Sequence, residues 1–284
     1  MRVGAKGALM SGPSKQLDVV GIMPAAGQGK RLAPMPCSKE LFPVGFRLAN
    51  GRNEFRPKVV SHYLLEKFSK AGIKKVYVIL RQGKWDIPAY FCDGAMLDMH
   101  LAYLVIAESS GPPDTVDRVY PFVIDNVIAF GFPDIMFGPD NVYRCLLQRQ
   151  QRTKADIVLG LFPAHDCRAM DMVDIDRNGS IRDMVLKPVR TQLRYAWLCG
   201  VWTPVFTEFL HRFVASYYSG KVRRSGSRKI DAQGDLPVGA VLQAAIRQGI
   251  RAEGVTFPDE TYIDIGTPAH MGEAIQRYGT LRTQ

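Results

Sequence analysis

Residues 24–45, PAAGQGKRLAPMPCSKELFPVG, put Gly27 and Gly29 directly before Lys30 and Arg31, and set Lys39 between Pro36 and Pro43. Glycines let backbone N–H groups come close to anionic oxygens, while an arginine and a lysine supply fixed positive charge. Gly27 and Gly29 alone are described equally well by a glycine-rich turn. Arg31 and Lys39 tip the balance towards an anion site. The spacing is neither GxxxxGK[ST] nor GxGxxG, which argues against a P-loop and a dinucleotide fingerprint. No Ser/His/Asp or Cys/His constellation stands out, and His62, His100, His165, His211 and His270 lack ligand spacing.

These residues need a scaffold. LDVVGIMP (17–24) is a short apolar run that ends in loop residues, the pattern of a buried parallel strand. KVVSHYLLEKFSKAG (58–72) has helical spacing and stops at Gly72, and KKVYVIL (74–80) is the next strand. Strand, helix, strand implies a right-handed crossover and a parallel sheet. Further strands are expected at 100–108, 125–131 and 155–163, with helices near 115–124 and 140–151. The rhythm then changes to short strands at 171–176, 180–188 and 194–204, the first two joined by the turn RNGS. Helices at 204–217, 235–248 and 268–278 and a strand at 250–256 complete an α/β pattern.

The chain has 284 residues, 46% hydrophobic and 23% charged, an ordinary globular composition with enough length for a sizeable core. A formal charge of +10 favours anionic partners without choosing among phosphorylated metabolites, nucleic acid and acidic membranes. The basic run KVRRSGSRK (221–229) lacks the interleaved aromatic residues that stack on bases, so a solvated loop is expected there. Cys37, Cys92, Cys145, Cys167 and Cys199 are odd in number and unpaired in spacing, which points to reduced thiols in a cytoplasmic protein. The most apolar stretch, 119–137, is broken by Asp125, Asn126 and Asp134 and is no membrane span. Residues 1–17 read as a flexible tail.

Five segments, in one order over about 250 residues, resemble the sugar-phosphate nucleotidyltransferases of the glucose-1-phosphate thymidylyltransferase and uridylyltransferase type. The hallmark AAGxGxRLxP…PKxLxPV appears as Ala25-Ala26-Gly27-Gln28-Gly29-Lys30-Arg31-Leu32 and Ser38-Lys39-Glu40-Leu41-Phe42-Pro43-Val44. FGFPDIMF (130–137) is similar to the family's G-D-N-x-F strand end, VLKP (185–188) to E-K-P, and WLCGVWTP (197–204) to A-x-x-G-x-Y. TYIDIGTPAHMGEA (261–274) resembles W-x-D-x-G-T-P-x-x-x-x-E-A.

The resemblance implies a Rossmann-like, mostly parallel central sheet with helices on both faces and a mixed C-terminal substrate part. It divides one nucleotidyltransferase domain, 18–284, into a nucleotide-binding half (18–152) and a sugar-phosphate-binding half (153–284). The activity implied transfers a nucleoside monophosphate from a nucleoside triphosphate, dTTP or UTP favoured, to a sugar 1-phosphate, giving a nucleotide-sugar and pyrophosphate, with no nucleic-acid or membrane partner and with homo-oligomerisation open. Ala26, Gly27, Gly29, Arg31 and Thr115 would bind nucleotide, and Lys187 and Gly200 the sugar phosphate. Arg31, Lys39 and Lys187 would be the catalytic residues, and Asp134 and Asp264 would hold Mg²⁺, a hard cation that takes carboxylate and phosphate oxygens. Without the resemblance, Asp134 and Asp264 read as surface or capping carboxylates, and Asp140, Asp174 and Asp176 remain loop or turn residues. Lys187 precedes Pro188 and is expected to be extended. Gly200 either admits a sugar ring or is a tightly packed strand glycine.

Three positions depart from the family pattern. Asp114 falls at a usual glycine, and Thr115 beside it either bonds the nucleoside or belongs to the first helical turn. Asp171 lies near a usual glycine, where it adds an acceptor, and Leu186 stands where a glutamate is usual and cannot accept from sugar hydroxyls. These departures keep a non-catalytic nucleotide or nucleotide-sugar binder as the alternative to an enzyme. A nucleic-acid binder rests on charge alone.

Overall fold

The structure, a computed structural model, describes residues 17–48, 54–224 and 236–280; the expected tail up to residue 16 and residues 225–229 of the basic run lie outside the described residues. The first half comprises β1 (Val19–Ala25), β2 (Pro43–Leu48), β3 (Phe55–Val59), α1 (Val60–Lys70), β4 (Lys75–Arg81), α2 (Asp86–Phe91), β5 (His100–Ile106), α3 (Pro112–Asp117), α4 (Tyr120–Val123), β6 (Val127–Gly131), β7 (Ile135–Phe137) and α5 (Val142–Thr153). After these come β8 (Ile157–Pro163), β9 (Asp171–Ile175), β10 (Ile181–Leu186), β11 (Tyr195–Trp202), α6 (Pro204–Arg224), α7 (Val238–Arg247), β12 (Ala252–Thr256), β13 (Tyr262–Asp264) and α8 (Pro268–Tyr278).

The apolar run of β1 is buried on both faces because successive side chains alternate. Val20 and Ile22 enter a core with Val116 of α3, Phe206 of α6 and Leu242 of α7. Met23 and Ala25 enter the opposite core with Leu64 and Phe68 of α1 and Leu146 of α5. Helices therefore cover both faces, as the α/β pattern requires. Close contact of α1 depends on Gly21, where a Cβ would come within 3.0 Å of the Phe68 ring.

β5, β4, β1 and β6 form a parallel row. β11 follows antiparallel to β6. One edge of β11 pairs with β8 from Tyr195 to Trp202, and β12 lies parallel beyond β8. The other edge is shared: β6 takes Cys199–Trp202, and β9 takes only Tyr195 and Ala196. The edge thus forks at Trp197 and Leu198, where β6 leaves and β9 begins. β9 and β10 form the antiparallel pair expected around RNGS.

The strands β2 and β3, which form a ribbon, the short strand β7 and the short helix α2 were not legible in the sequence. The expected helix at 115–124 is split into α3 and α4. Pro121 has no N–H to continue the ladder, so the chain starts a new turn there. All five cysteines are free thiols. Among the described residues no helix is long and apolar enough to cross a membrane.

The packing of α1 has a pH consequence. His62 is fully buried, its Nδ1 accepting the Val59 backbone N–H at 3.3 Å. Burial, reinforced by the charges of Arg47 and Lys58, lowers its pKa to about 3. An unfolded histidine titrates near 6.5. The stability that neutral His62 contributes is therefore complete above about pH 6.5 and is lost as pH falls towards 3, at up to about 1.4 kcal/mol per pH unit. Between pH 7 and pH 5 the wild type should lose about 2 kcal/mol more in urea unfolding than His62→Gln. Equal losses in the two proteins would refute this account of His62.

Candidate active site

A cleft of about 800 Å³ opens at the C-terminal ends of the parallel strands and into the fork beside β11. Its walls include Ala26 after β1, Arg81 at the end of β4, Phe132 and Asp134 after β6, and Asp171 at the start of β9. This is the usual ligand edge of an open α/β sheet.

The first wall is the glycine-rich loop and its basic residues. Ala26, Gly27, Gly29, Arg31 and Lys39 all line the cleft. Gly29 takes φ +64, a left-handed conformation, and its carbonyl accepts from Leu32 N–H at 2.9 Å, which turns the loop back. The single turn Lys39–Leu41 is clamped from outside. Asp86 of α2 accepts from the Ser38 backbone N–H at 2.6 Å and from its hydroxyl at 2.8 Å. Glu40 is buried, and Lys84 donates to both of its oxygens at 2.8 Å. Burial raises the Glu40 carboxyl above its ordinary range despite Lys84 and Lys39.

The two predicted metal carboxylates stand side by side. β7 and β13 pair antiparallel with Asp264 opposite Ile135, and the Asp134 carbonyl accepts from Ile265 N–H at 3.0 Å. Lys39 Nζ is bonded to Asp134 Oδ2. Burial lowers the Lys39 pKa, but the Asp134 carboxylate outweighs it and holds the ammonium above its usual value. Burial and the charge of Asp134 raise Asp264, against the pull of the Gly266 amide, Lys39 and Arg31. Gly266 N–H donates to Asp264 Oδ1 at 2.8 Å. A Cβ at Gly266 would lie 2.6 Å from Arg31 Nη2, so the glycine is what lets the guanidinium settle beside Asp264. Among the described residues no group of three or more His, Cys, Asp or Glu side chains could hold a metal ion. The pair nevertheless suits a hard divalent cation, because both donors are oxygens and phosphate oxygens in the cleft would complete the shell.

The second wall comes from the C-terminal half. Lys187, Asp171, Trp197, Pro237 and Val238 line it. Lys187 is not extended as expected but takes φ +41, so the chain turns sharply before Pro188. Gly200 does not reach the cleft; a Cβ there would meet Leu159 Cδ2 at 3.0 Å and the Val158 carbonyl at 3.2 Å. It is a close-packed glycine of β11, and the reading in which it admits a sugar ring is corrected. Asp171 and Leu186, two of the three unusual positions, face each other across the β9–β10 ladder.

The third wall is Arg81, Glu108, Ser109, Gly111, Pro112 and Thr115. The Thr115 hydroxyl is hydrogen-bonded to Ser109 Oγ at 2.6 Å and lies 3.3 Å from the Gly111 carbonyl, so it holds the loop and α3 together. Asp114 turns away from the cleft, accepting from Ser110 N–H at 2.8 Å and pairing with Arg118 at 3.1 Å. Gly111, three residues earlier, is the glycine that meets the cleft. Glu40 and Gly266 were overlooked although they lie inside the quoted motifs. Lys84 and Asp86 carried no signal, being far in sequence from the turn they clamp.

No protein-family model matches the chain. It is 26% identical over 263 residues to a glucose-1-phosphate thymidylyltransferase of Actinoplanes sp. strain SE50/110, covering 90% of this chain and 76% of that protein. It is 24% identical over 189 residues to a glucose-1-phosphate adenylyltransferase of Cutibacterium acnes, covering 60% of this chain and 43% of that one. A structure from Bacillus anthracis assigned as a glucose-1-phosphate thymidylyltransferase, in complex with a sucrose, superposes with TM-score 0.73 at 17% identity over 94% of this chain and 97% of that one. A UDP-glucose pyrophosphorylase complexed with UDP-glucose gives TM-score 0.72 at 15% identity over 93% and 99%. With the five motifs in order and one fold throughout, the chain is similar in sequence to sugar-1-phosphate nucleotidyltransferases and shares the fold of their solved structures.

Proposed function

We propose that this protein transfers a nucleoside monophosphate from a nucleoside triphosphate, dTTP or UTP favoured, to a sugar 1-phosphate. The observation that carries the reading is the convergence of Arg31, Lys39, Asp134 and Asp264 at one wall of a cleft whose other wall carries Lys187. A phosphate oxygen of the sugar 1-phosphate attacks the α-phosphorus in line. The new P–O bond forms as the bond to the bridging oxygen breaks, and pyrophosphate leaves with that electron pair. Backbone amides of the Gly27–Gly29 loop, Arg31 and Lys39 neutralise the triphosphate, and Lys187 aims the attacking phosphate. Mg²⁺, held by Asp134 and Asp264, would supply charge stabilisation at the phosphates when bound. Such chemistry depends on positioning and electrostatics, which agrees with a cleft lacking a nucleophilic triad.

The base preference rests on the resemblance to thymidylyl- and uridylyltransferases. A pyrophosphate-release panel crossing dTTP, UTP, ATP, GTP and CTP with several sugar 1-phosphates tests it. Mg²⁺-dependent release with dTTP or UTP is expected. Release with no pair would overturn the reading, and a clear preference for a purine triphosphate would overturn the choice of base.

A further inference from the structure

Asp171 opens β9 at the cleft wall, near Lys187 and beside Trp197. Its Oδ1 is shielded from solvent and has no hydrogen-bond partner; among the described residues it is the one buried carboxylate oxygen in that state. Other buried acids are satisfied: Glu40 by Lys84 at both oxygens, and Glu253 by Arg149 at 2.5 Å and Arg251 at 3.1 Å. An unpaired buried oxygen is costly, so its persistence calls for a reason.

The side chain is also fixed in place. Asp171 Oδ2 rests against the first turn of α7, where a Cβ at Gly239 would fall 2.1 Å away. The N-terminal end of that ten-residue helix favours the negative charge. Leu186, directly across the ladder, offers only methyl groups. Burial raises the Asp171 carboxyl, opposed by Lys187, the Trp197 indole and the Lys187 amide. None of these completes a bond to Oδ1.

We infer that Asp171 is a specificity-determining residue whose Oδ1 accepts a hydrogen bond from a donor on the sugar ring, a hydroxyl or an ammonium, near the phosphate that Lys187 holds. The inference rests on the transferase reading for the identity of the ligand. A ring that brings the donor satisfies the orphaned oxygen, and a ring deoxygenated there leaves it bare.

The test is a set of dissociation constants, measured by calorimetry on the full chain with glucose 1-phosphate and its monodeoxy and amino analogues. Binding is read without turnover, so it remains informative if pyrophosphate release fails. One deoxy analogue should bind the wild type about 10- to 100-fold more weakly than glucose 1-phosphate. Asp171→Ala should erase that difference and leave triphosphate affinity unchanged. Asp171→Asn, nearly isosteric, guards against a folding defect and separates the donors. If it retains hydroxyl discrimination, the donor is a hydroxyl. If the wild type favours one amino analogue at least about 10-fold and Asp171→Asn abolishes that preference, the donor is an ammonium. Wild-type affinities for every sugar phosphate in both variants, with only the melting temperature lowered, would reduce Asp171 to a cap of α7 and overturn the inference. Failure of the wild type to bind any sugar 1-phosphate while binding triphosphate would overturn both readings.

Discussion

Asp134→Asn or Asp264→Asn is expected to lower kcat by about three orders of magnitude or more in a protein that still folds. On the proposed reading each substitution removes one of the two carboxylates that would hold Mg²⁺, and several kcal/mol of charge stabilisation corresponds to that loss. Folding should survive because the β7–β13 ladder and the Ile265-to-Asp134 hydrogen bond use backbone atoms only. In Asp264→Asn the side-chain amide keeps an oxygen that can accept from the Gly266 N–H. Steady-state pyrophosphate release against Mg²⁺ concentration, with circular dichroism as the folding control, reads the effect. Wild-type Mg²⁺-dependent rates in both variants would remove these carboxylates from the chemistry.

Arg31→Ala should lower turnover by roughly two orders of magnitude, the usual loss when a group that stabilises a developing anion is removed. Lys39→Ala should do likewise and also weaken triphosphate binding. Its loss further leaves Asp134 and Asp264 adjacent without their nearest cation, so Asp264 should hold its proton to higher pH than in the wild type. Both variants should bind sugar 1-phosphate normally. If instead triphosphate binding and turnover are unchanged and only the sugar phosphate suffers, the division between the two walls is wrong.

The parallel half of the sheet was legible because β1, β4 and β6 are apolar on both faces and end abruptly in loop residues. Arg31, Lys39, Asp134 and Asp264 were legible as motif members, though not their contacts, since the β7–β13 ribbon joins residues about 130 apart. The clamp on Ser38 and Glu40 was invisible because Lys84 and Asp86 belong to no motif. Gly200 misled: an open face and a packed face look alike for a strand glycine until the neighbouring strand is known. Asp114 misled because the loop glycine sits three residues earlier, at Gly111. Asp171 and Leu186 looked like separate departures, and the ladder register makes them one change across two strands.

The fork in the edge of β11 bears on how this chain can diverge. β9 is tied to β11 at only two positions, whereas the row from β5 to β6 and the β8 seam carry longer ladders, the seam with a bulge between Trp197 and Cys199. Substitutions at Asp171 or Leu186 therefore act first on the wall formed by the β9–β10 hairpin and the first turn of α7, away from the ladders that carry the glycine loop and the ribbon that holds Asp134 and Asp264. On the proposed reading, the residues for the sugar phosphate and those for the triphosphate sit on different parts of the molecule, and two of the three unusual positions occur on the sugar side.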